Sequence, residues 1–143
     1  MNLSLGQNEL TLEFPDFIPK CRNLTFLDLG SNKLTGLIPE MVFTNLGKLE
    51  SLFLTDNSFH GSLSSNISIL SKLKNLGLGS NQFTGPIPED IGLISDLEII
   101  EMYDLFLKDV LDQRLQPPIG PLANKVVLVV SMALACTRTT PES

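Results

Sequence analysis

The chain has 143 residues, enough for one compact domain or for a short run of repeats with a further segment attached. Its formal net charge of −6 and ordinary apolar content exclude a basic nucleic-acid binder and a disordered tail. Two cysteines, Cys21 and Cys136, are too few and too far apart for a disulfide framework or a zinc site, so both read as buried thiols. Met1-Asn-Leu-Ser-Leu shows no basic segment followed by an apolar core, so no secretory leader is expected at the start. The longest uncharged apolar run, 126 to 137, is shorter than the roughly 20 residues a helix needs to cross a bilayer, so no membrane span is expected either.

Along the chain, Asn8, Asn32, Asn57 and Asn81 recur at intervals of 24, 25 and 24 residues. Each follows a Leu-x-Leu pair, Leu3/Leu5, Leu27/Leu29, Leu52/Leu54 and Leu76/Leu78, and each precedes Leu10, Leu34, Phe59 or Phe83 by two positions. Gly36, Gly61 and Gly85 come next, then Ile38-Pro39 and Ile87-Pro88, with Ser62-Leu63 as the variant of the third copy. Such a period marks a repeat architecture. Leu-x-Leu is a strand with both leucines turned into the core and the residue between them turned out. One strand this short cannot bury its apolar side alone, so successive copies must stack as a parallel sheet. The Asn beyond each strand can satisfy backbone groups left open there, giving a ladder of Asn side chains. The Gly permits a backbone conformation closed to other residues, and the Pro fixes the returning segment.

A fifth copy starts at Leu97-Glu-Ile-Ile100-Glu-Met102-Tyr-Asp104, but Leu105 stands where its Asn is due. Beyond it, Leu107, Val110, Leu111 and Leu115 have helical spacing after Asp104 as N-cap, and Pro117-Pro118 ends that segment. Pro121 through Cys136 reads as a second helix opened by proline. The charge balance changes at the same place: residues 1–104 carry 6 Lys/Arg against 13 Asp/Glu, and 105–143 carry 4 against 3. Two unlike parts, 1–104 and 105–143, are therefore expected.

No stretch carries recognisable catalytic chemistry. Gly77-Leu-Gly79 lacks the third glycine of a phosphate loop, and Asp28-Leu29-Gly30 is accounted for as the strand of the second copy. His60, the sole histidine, has no nucleophile or metal partner at a recognised spacing and reads as a solvated loop residue. No catalytic residue, metal ligand or cofactor is expected. A binding surface is better supported, because outward strand positions place small polar residues beside aromatic ones. The candidate contacts are Phe26, Asp28, Ser51, Phe53, Thr55, Asp56, Asn75, Glu101 and Tyr103. Asn2-Leu-Ser4, Asn23-Leu-Thr25 and Asn66-Ile-Ser68 are glycosylation sequons, which fit an extracellular ancestry.

The repeat pattern Leu-x-x-Leu-x-Leu-x-x-Asn-x-Leu-x-Gly-x-Ile-Pro resembles the leucine-rich repeats of plant receptor-like proteins and receptor-like kinases, over about residues 2 to 103. Leu107-Lys-Asp-Val-Leu-Asp-Gln-Arg-Leu115, Ala133-Leu-Ala-Cys-Thr137 and Thr140-Pro-Glu-Ser143 are similar to the closing part of the kinase domain in the same receptor family. The resemblance implies an α/β leucine-rich-repeat right-handed solenoid with a short parallel concave β-sheet, followed by a two-helix tail. It implies a non-catalytic module that recognises a peptide or protein ligand, or a co-receptor ectodomain, and no nucleic acid. In the family such repeats lie outside the plasma membrane. The catalytic part of the kinase and the membrane span that would separate the two stretches are missing, so a serine/threonine kinase describes the parent rather than this chain. The join near residue 104 also admits a mis-assembled gene product without function.

Overall fold

The structure, a computed structural model, describes residues 1–101, with side chains up to Glu98. The copies follow one circuit, except that the first has an isolated bridge, Glu13 to Thr35, in place of a second strand. A three-residue strand comes first: β1 Asn2–Ser4 in the first copy and β2 Phe26–Asp28 in the second. A second, shorter strand follows on the next side, β3 Thr35–Gly36, and the chain returns through a helical segment, here α1 Glu40–Asn45. The circuit repeats through β4 Ser51–Phe53, β5 Ser58–Gly61, β6 Asn75–Gly77, β7 Gln82–Phe83 and β8 Ile99–Glu101. In the other copies the return is a 3₁₀ turn, at Ile18–Lys20, Ser65–Ile69 and Glu89–Leu93.

The described strands form two parallel sheets, β1-β2-β4-β6-β8 and β3-β5-β7. In the larger sheet the leucine of each strand faces its equivalent, Leu3 opposite Leu27, Leu27 opposite Leu52 and Leu52 opposite Leu76. Strands stack about 4.8 Å apart while packed helical segments need about 8–10 Å, so the array curves with the larger sheet on its inner, concave side. The expected stacking of Leu-x-Leu strands is therefore present. The smaller sheet was not anticipated; it grows from the residues around Gly36, Gly61 and Gly85, and it places His60 on strand β5 rather than in a loop.

Leucines fill the interior in columns. Leu24, Leu49 and Leu73 are fully buried just before the strands, as are Leu27, Leu52 and Leu76 within them, and Leu29 and Leu54 just after. Leu3 and Leu5 are only half-buried because β1 is an edge strand with one neighbour. Fully burying a leucine contributes about 1.5–3 kcal/mol, so these columns dominate cohesion between copies. Phe14 and Phe59, 6.1 Å apart, fill the volume beneath the smaller sheet.

The uneven period has a physical counterpart. The one 25-residue strand-to-strand interval, Phe26 to Ser51, contains the α-helix, whereas Asn2 to Phe26 and Ser51 to Asn75 are 24 residues and return through 3₁₀ turns. An α-helix rises about 1.5 Å per residue and a 3₁₀ helix about 2.0 Å, so the α-helical return needs an extra residue to cover the same length.

The glycine column also has a conformational basis. Gly36, Gly61 and Gly85 have φ of 85°, 85° and 78°, which side-chain-bearing residues rarely adopt. In the first copy the position is Leu12, which is held at φ 84°. The residue before each ladder Asn lies in the left-handed region too: Gln7, Ser31, Asp56 and Ser80 have φ of 56°, 53°, 54° and 53°.

Tyr103, Asp104, Cys136 and the two helices expected over 105–143 lie outside the described residues.

Candidate functional site

On the larger sheet, alternation along each strand turns every second side chain away from the leucine core. Register aligns Asn2, Phe26, Ser51, Asn75 and Ile99 in one column, and Ser4, Asp28, Phe53, Gly77 and Glu101 in the next. Backbone bonds continue the ladder past the strand ends: Gln7 N–H donates to Gly30 O at 2.8 Å and Ser31 N–H to Thr55 O at 2.8 Å. They bring Gly6, Gly30, Thr55 and Gly79 together as a third column.

The centre of this face is aromatic. Phe26 and Phe53 belong to neighbouring strands and adjacent columns, and their rings lie 5.8 Å apart at 56°, each half-buried. Beside them sits Asp28, whose Oδ1 accepts from Gly30 N–H at 2.9 Å and whose Oδ2 accepts from Ser4 Oγ–H at 3.3 Å. Gly6 is needed there, since a Cβ on it would lie 2.7 Å from Asp28 Oδ2. A hollow of about 410 Å³ opens over this spot, with Ser4, Asp28, Gly30, Phe53 and Thr55 among its lining.

The other candidate contacts differ in how much they present. Ser51 is 8% exposed and its hydroxyl accepts from Asn75 Nδ2–H at 3.0 Å, so both side chains are occupied with each other. Thr55 is half-buried; Asp56 is exposed and accepts from Ser31 Oγ–H at 3.3 Å. Gly30, Gly77 and Gly79 face this side, yet neighbouring atoms cover them. Glu101 lies on β8 in register with Gly77, and Tyr103 is beyond the described residues. The pairing of Ser4 with Asp28 and the space at Gly6 were missed in the sequence; aligning the copies column by column is the signal that would have found them.

The ladder Asn residues work through the backbone rather than by touching one another. Asn32 Oδ1 accepts from Leu10 N–H at 3.0 Å, while its Nδ2 donates to Leu5 O at 2.9 Å and to Leu29 O at 3.0 Å. Asn81 repeats this with Phe59 N–H at 3.0 Å and Leu54 O at 2.8 Å. They hold the scaffold under the face.

The sequon asparagines are all exposed. Asn2 stands on the inner face, in the column of Phe26, and accepts from Thr25 Oγ–H at 3.1 Å. Asn23 accepts from Lys48 Nζ at 2.7 Å, and Asn66, on a helical return, donates to Glu40 Oε2 at 2.9 Å. Among the described residues no group of three His, Cys, Asp or Glu side chains is placed to hold a metal ion, and no helix is long and apolar enough to cross a membrane.

Stacked Leu-x-Leu strands, a shared Asn ladder and helical returns define a leucine-rich-repeat solenoid. Residues 1–59 and 72–94 match family models for the leucine rich repeat. Receptor-like protein 49 of Arabidopsis thaliana is 40% identical over 55 residues, covering 38% of this chain and 6% of that protein. The repeats are thus of the leucine-rich-repeat family and are similar to those of plant receptor-like proteins. Receptor-like protein EIX2 of Solanum lycopersicum is 48% identical over 48 residues, 34% of this chain and 5% of that protein. The LRR receptor-like serine/threonine-protein kinase EFR of Arabidopsis thaliana is 37% identical over 70 residues, 48% of this chain and 7% of that protein. The aligned stretches thus span only a small part of the length of these relatives.

Solved structures agree. The BIR3–SERK2 complex from Arabidopsis thaliana superposes with a TM-score of 0.68 at 32% identity, over 70% of this chain and 53% of that one. The PEPR1–AtPEP1 structure gives 0.66 at 36% identity, over 70% of this chain and 14% of that one. The Arabidopsis receptor kinase HAESA, in complex with the peptide hormone IDA and the co-receptor SERK1, gives 0.63 at 36% identity, over 68% and 17%.

Proposed function

We propose that the repeats form a non-catalytic recognition module that binds an extended peptide, or an exposed segment of a partner protein, on the inner face of the larger sheet. The observation that carries this reading is the half-exposed Phe26–Phe53 pair at the centre of that face, 5.8 Å apart. Aromatic side chains in such settings supply contact area at low entropic cost and are frequent anchors of binding energy. The complex of the structural neighbour HAESA with the peptide hormone IDA supports the same use of the fold. Phe26, Asp28, Phe53, Thr55 and Asp56 are the contacts in this reading, with Glu101 and Tyr103 extending it along the next copy. Ser51 and Asn75 support the surface through their mutual hydrogen bond. Residues 105–143 are read as a separate segment whose sequence resembles the end of a kinase domain.

The test is retention of peptides from a random decapeptide mixture by the immobilised chain, read by mass spectrometry. Wild type retains a subset, and Phe53→Ala and Phe26→Ala each weaken the retained peptides by about tenfold or more. His60→Ala, on the other sheet, leaves them unchanged. Retention that is indifferent to both phenylalanines, or no retention at all, overturns the reading. Incubation of the chain with ATP and a generic protein substrate tests the kinase description separately; phosphate transfer would overturn the non-catalytic assignment.

A further inference from the structure

We infer that Asp28 forms a subsite for a basic side chain of the bound peptide, with the stem of that side chain lying along Phe53. This rests on the peptide-recognition reading and specifies it. The inner face has a one-sided charge: in its columns from Asn2 to Ser80 the charged residues are Asp28 and Asp56, with no Lys or Arg. The lysines bordering the face are already engaged, Lys74 with Glu50 at 3.0 Å and Lys48 with Asn23 at 2.7 Å. A cationic ligand group therefore meets two carboxylates and no lysine or arginine within these columns.

The carboxylate is also held ready. Gly30 N–H and Ser4 Oγ–H fix its two oxygens in place, each oxygen keeps a further lone pair, and Asp28 lines the hollow. Gly6 and Gly30 flank it without side chains and so leave room for the carboxylate itself: a Cβ on Gly6 would lie 2.7 Å from Asp28 Oδ2, and one on Gly30 3.2 Å from Asp28 Oδ1. On the neighbouring strand Phe53 occupies the same column, in register with Asp28. A basic side chain is the ligand chemistry that uses both, because its aliphatic stem packs on an aromatic ring while its charged end reaches a carboxylate. A hollow of about 410 Å³ accommodates one such side chain. An acidic or purely apolar ligand residue would leave the Asp28 charge unpaired.

The test uses decapeptide pools that are random except for one central position, fixed as Arg in one pool and as its neutral isostere citrulline in the other. The intact chain is expected to bind the Arg pool about tenfold more tightly, with a preference that shrinks as salt is raised from 50 to 500 mM. Asp28→Asn keeps an oxygen for Gly30 N–H and is expected to abolish the preference while retaining the wild-type circular dichroism spectrum. Equal binding of both pools overturns the basic subsite and leaves peptide recognition standing. Binding of neither pool overturns both. A preference for Arg that survives Asp28→Asn places the cation elsewhere and also overturns this assignment; should the variant fail to fold, equal wild-type binding of the two pools still decides against it.

Discussion

Asn57 Nδ2 lies 2.9 Å from the carbonyl oxygen of Leu29 in the preceding copy, while Asn57 Oδ1 accepts from Leu34 N–H at 3.0 Å in that same copy. One side chain thus ties two copies together, and its Nδ2 also meets Leu54 O at 3.2 Å and Thr55 O at 3.3 Å in its own. Asn57→Ala leaves these half-buried backbone groups without partners and is expected to cost about 3 kcal/mol in urea unfolding. Asn57→Asp keeps the acceptor but sets a carboxylate among carbonyl oxygens, which raises the folded-state pKa of the new group above its unfolded value. Its stability relative to Asn57→Ala should therefore be greatest below pH 4, and decline as pH rises through the raised value. A pH-independent difference between the two variants would contradict this.

Leu12 offers the opposite opportunity. It is held at φ 84° where the later copies have Gly36, Gly61 and Gly85, and a left-handed backbone costs a side-chain-bearing residue about 1–2 kcal/mol. Its side chain is 79% exposed, so little packing is lost on removing it. Leu12→Gly should raise stability by about 0.5–1 kcal/mol after the added flexibility of the unfolded chain is counted. Gly85→Ala is the converse probe: an added Cβ makes only ordinary contact with Ser62 Cβ at 3.6 Å, so the expected loss of about 1–2 kcal/mol isolates backbone strain. Both are read from the urea midpoint.

Phe26 and Phe53 should be coupled energetically as well as geometrically. A double-mutant cycle to leucine at both positions is expected to show an interaction of about 0.5–1.5 kcal/mol, the range for tilted ring pairs. An additive cycle would show that the rings are neighbours without mutual stabilisation, and would remove the pre-ordering of this face as a reason for its affinity.

The Lys74–Glu50 pair, 3.0 Å apart, raises the Lys74 pKa through the hydrogen bond to Glu50, then through the charge of Glu50, with smaller additions from Glu98 and Asp96. A folded value above the unfolded one means that the contribution is fully present below the ordinary lysine range and is lost as pH rises through the raised value. The difference in urea midpoint between wild type and Lys74→Gln should be small, because both side chains are well exposed, constant from pH 7 to 9, and gone at strongly alkaline pH. A difference that grows with alkalinity would reverse the sign of this argument.

The period, the inward leucines, the Asn rung and the outward positions of Phe26, Asp28 and Phe53 were all legible in the amino-acid sequence. Each is a local requirement that recurs with every copy: a strand must bury one side, and a strand end must satisfy its backbone. What recurrence along the chain does not contain is which side chains meet across copies. Only the register of the stacked strands decided that Ser4 holds Asp28, that Gly6 makes room for that carboxylate, and that Ser51 and Asn75 hydrogen-bond to each other. The smaller sheet, the left-handed backbone at Ser31, Asp56 and Ser80, and the exchange of a 3₁₀ return for an α-helix in the 25-residue interval belong to the same class. Those features are set by fitting each circuit to the height of its neighbours, a constraint that exists only once the copies are stacked.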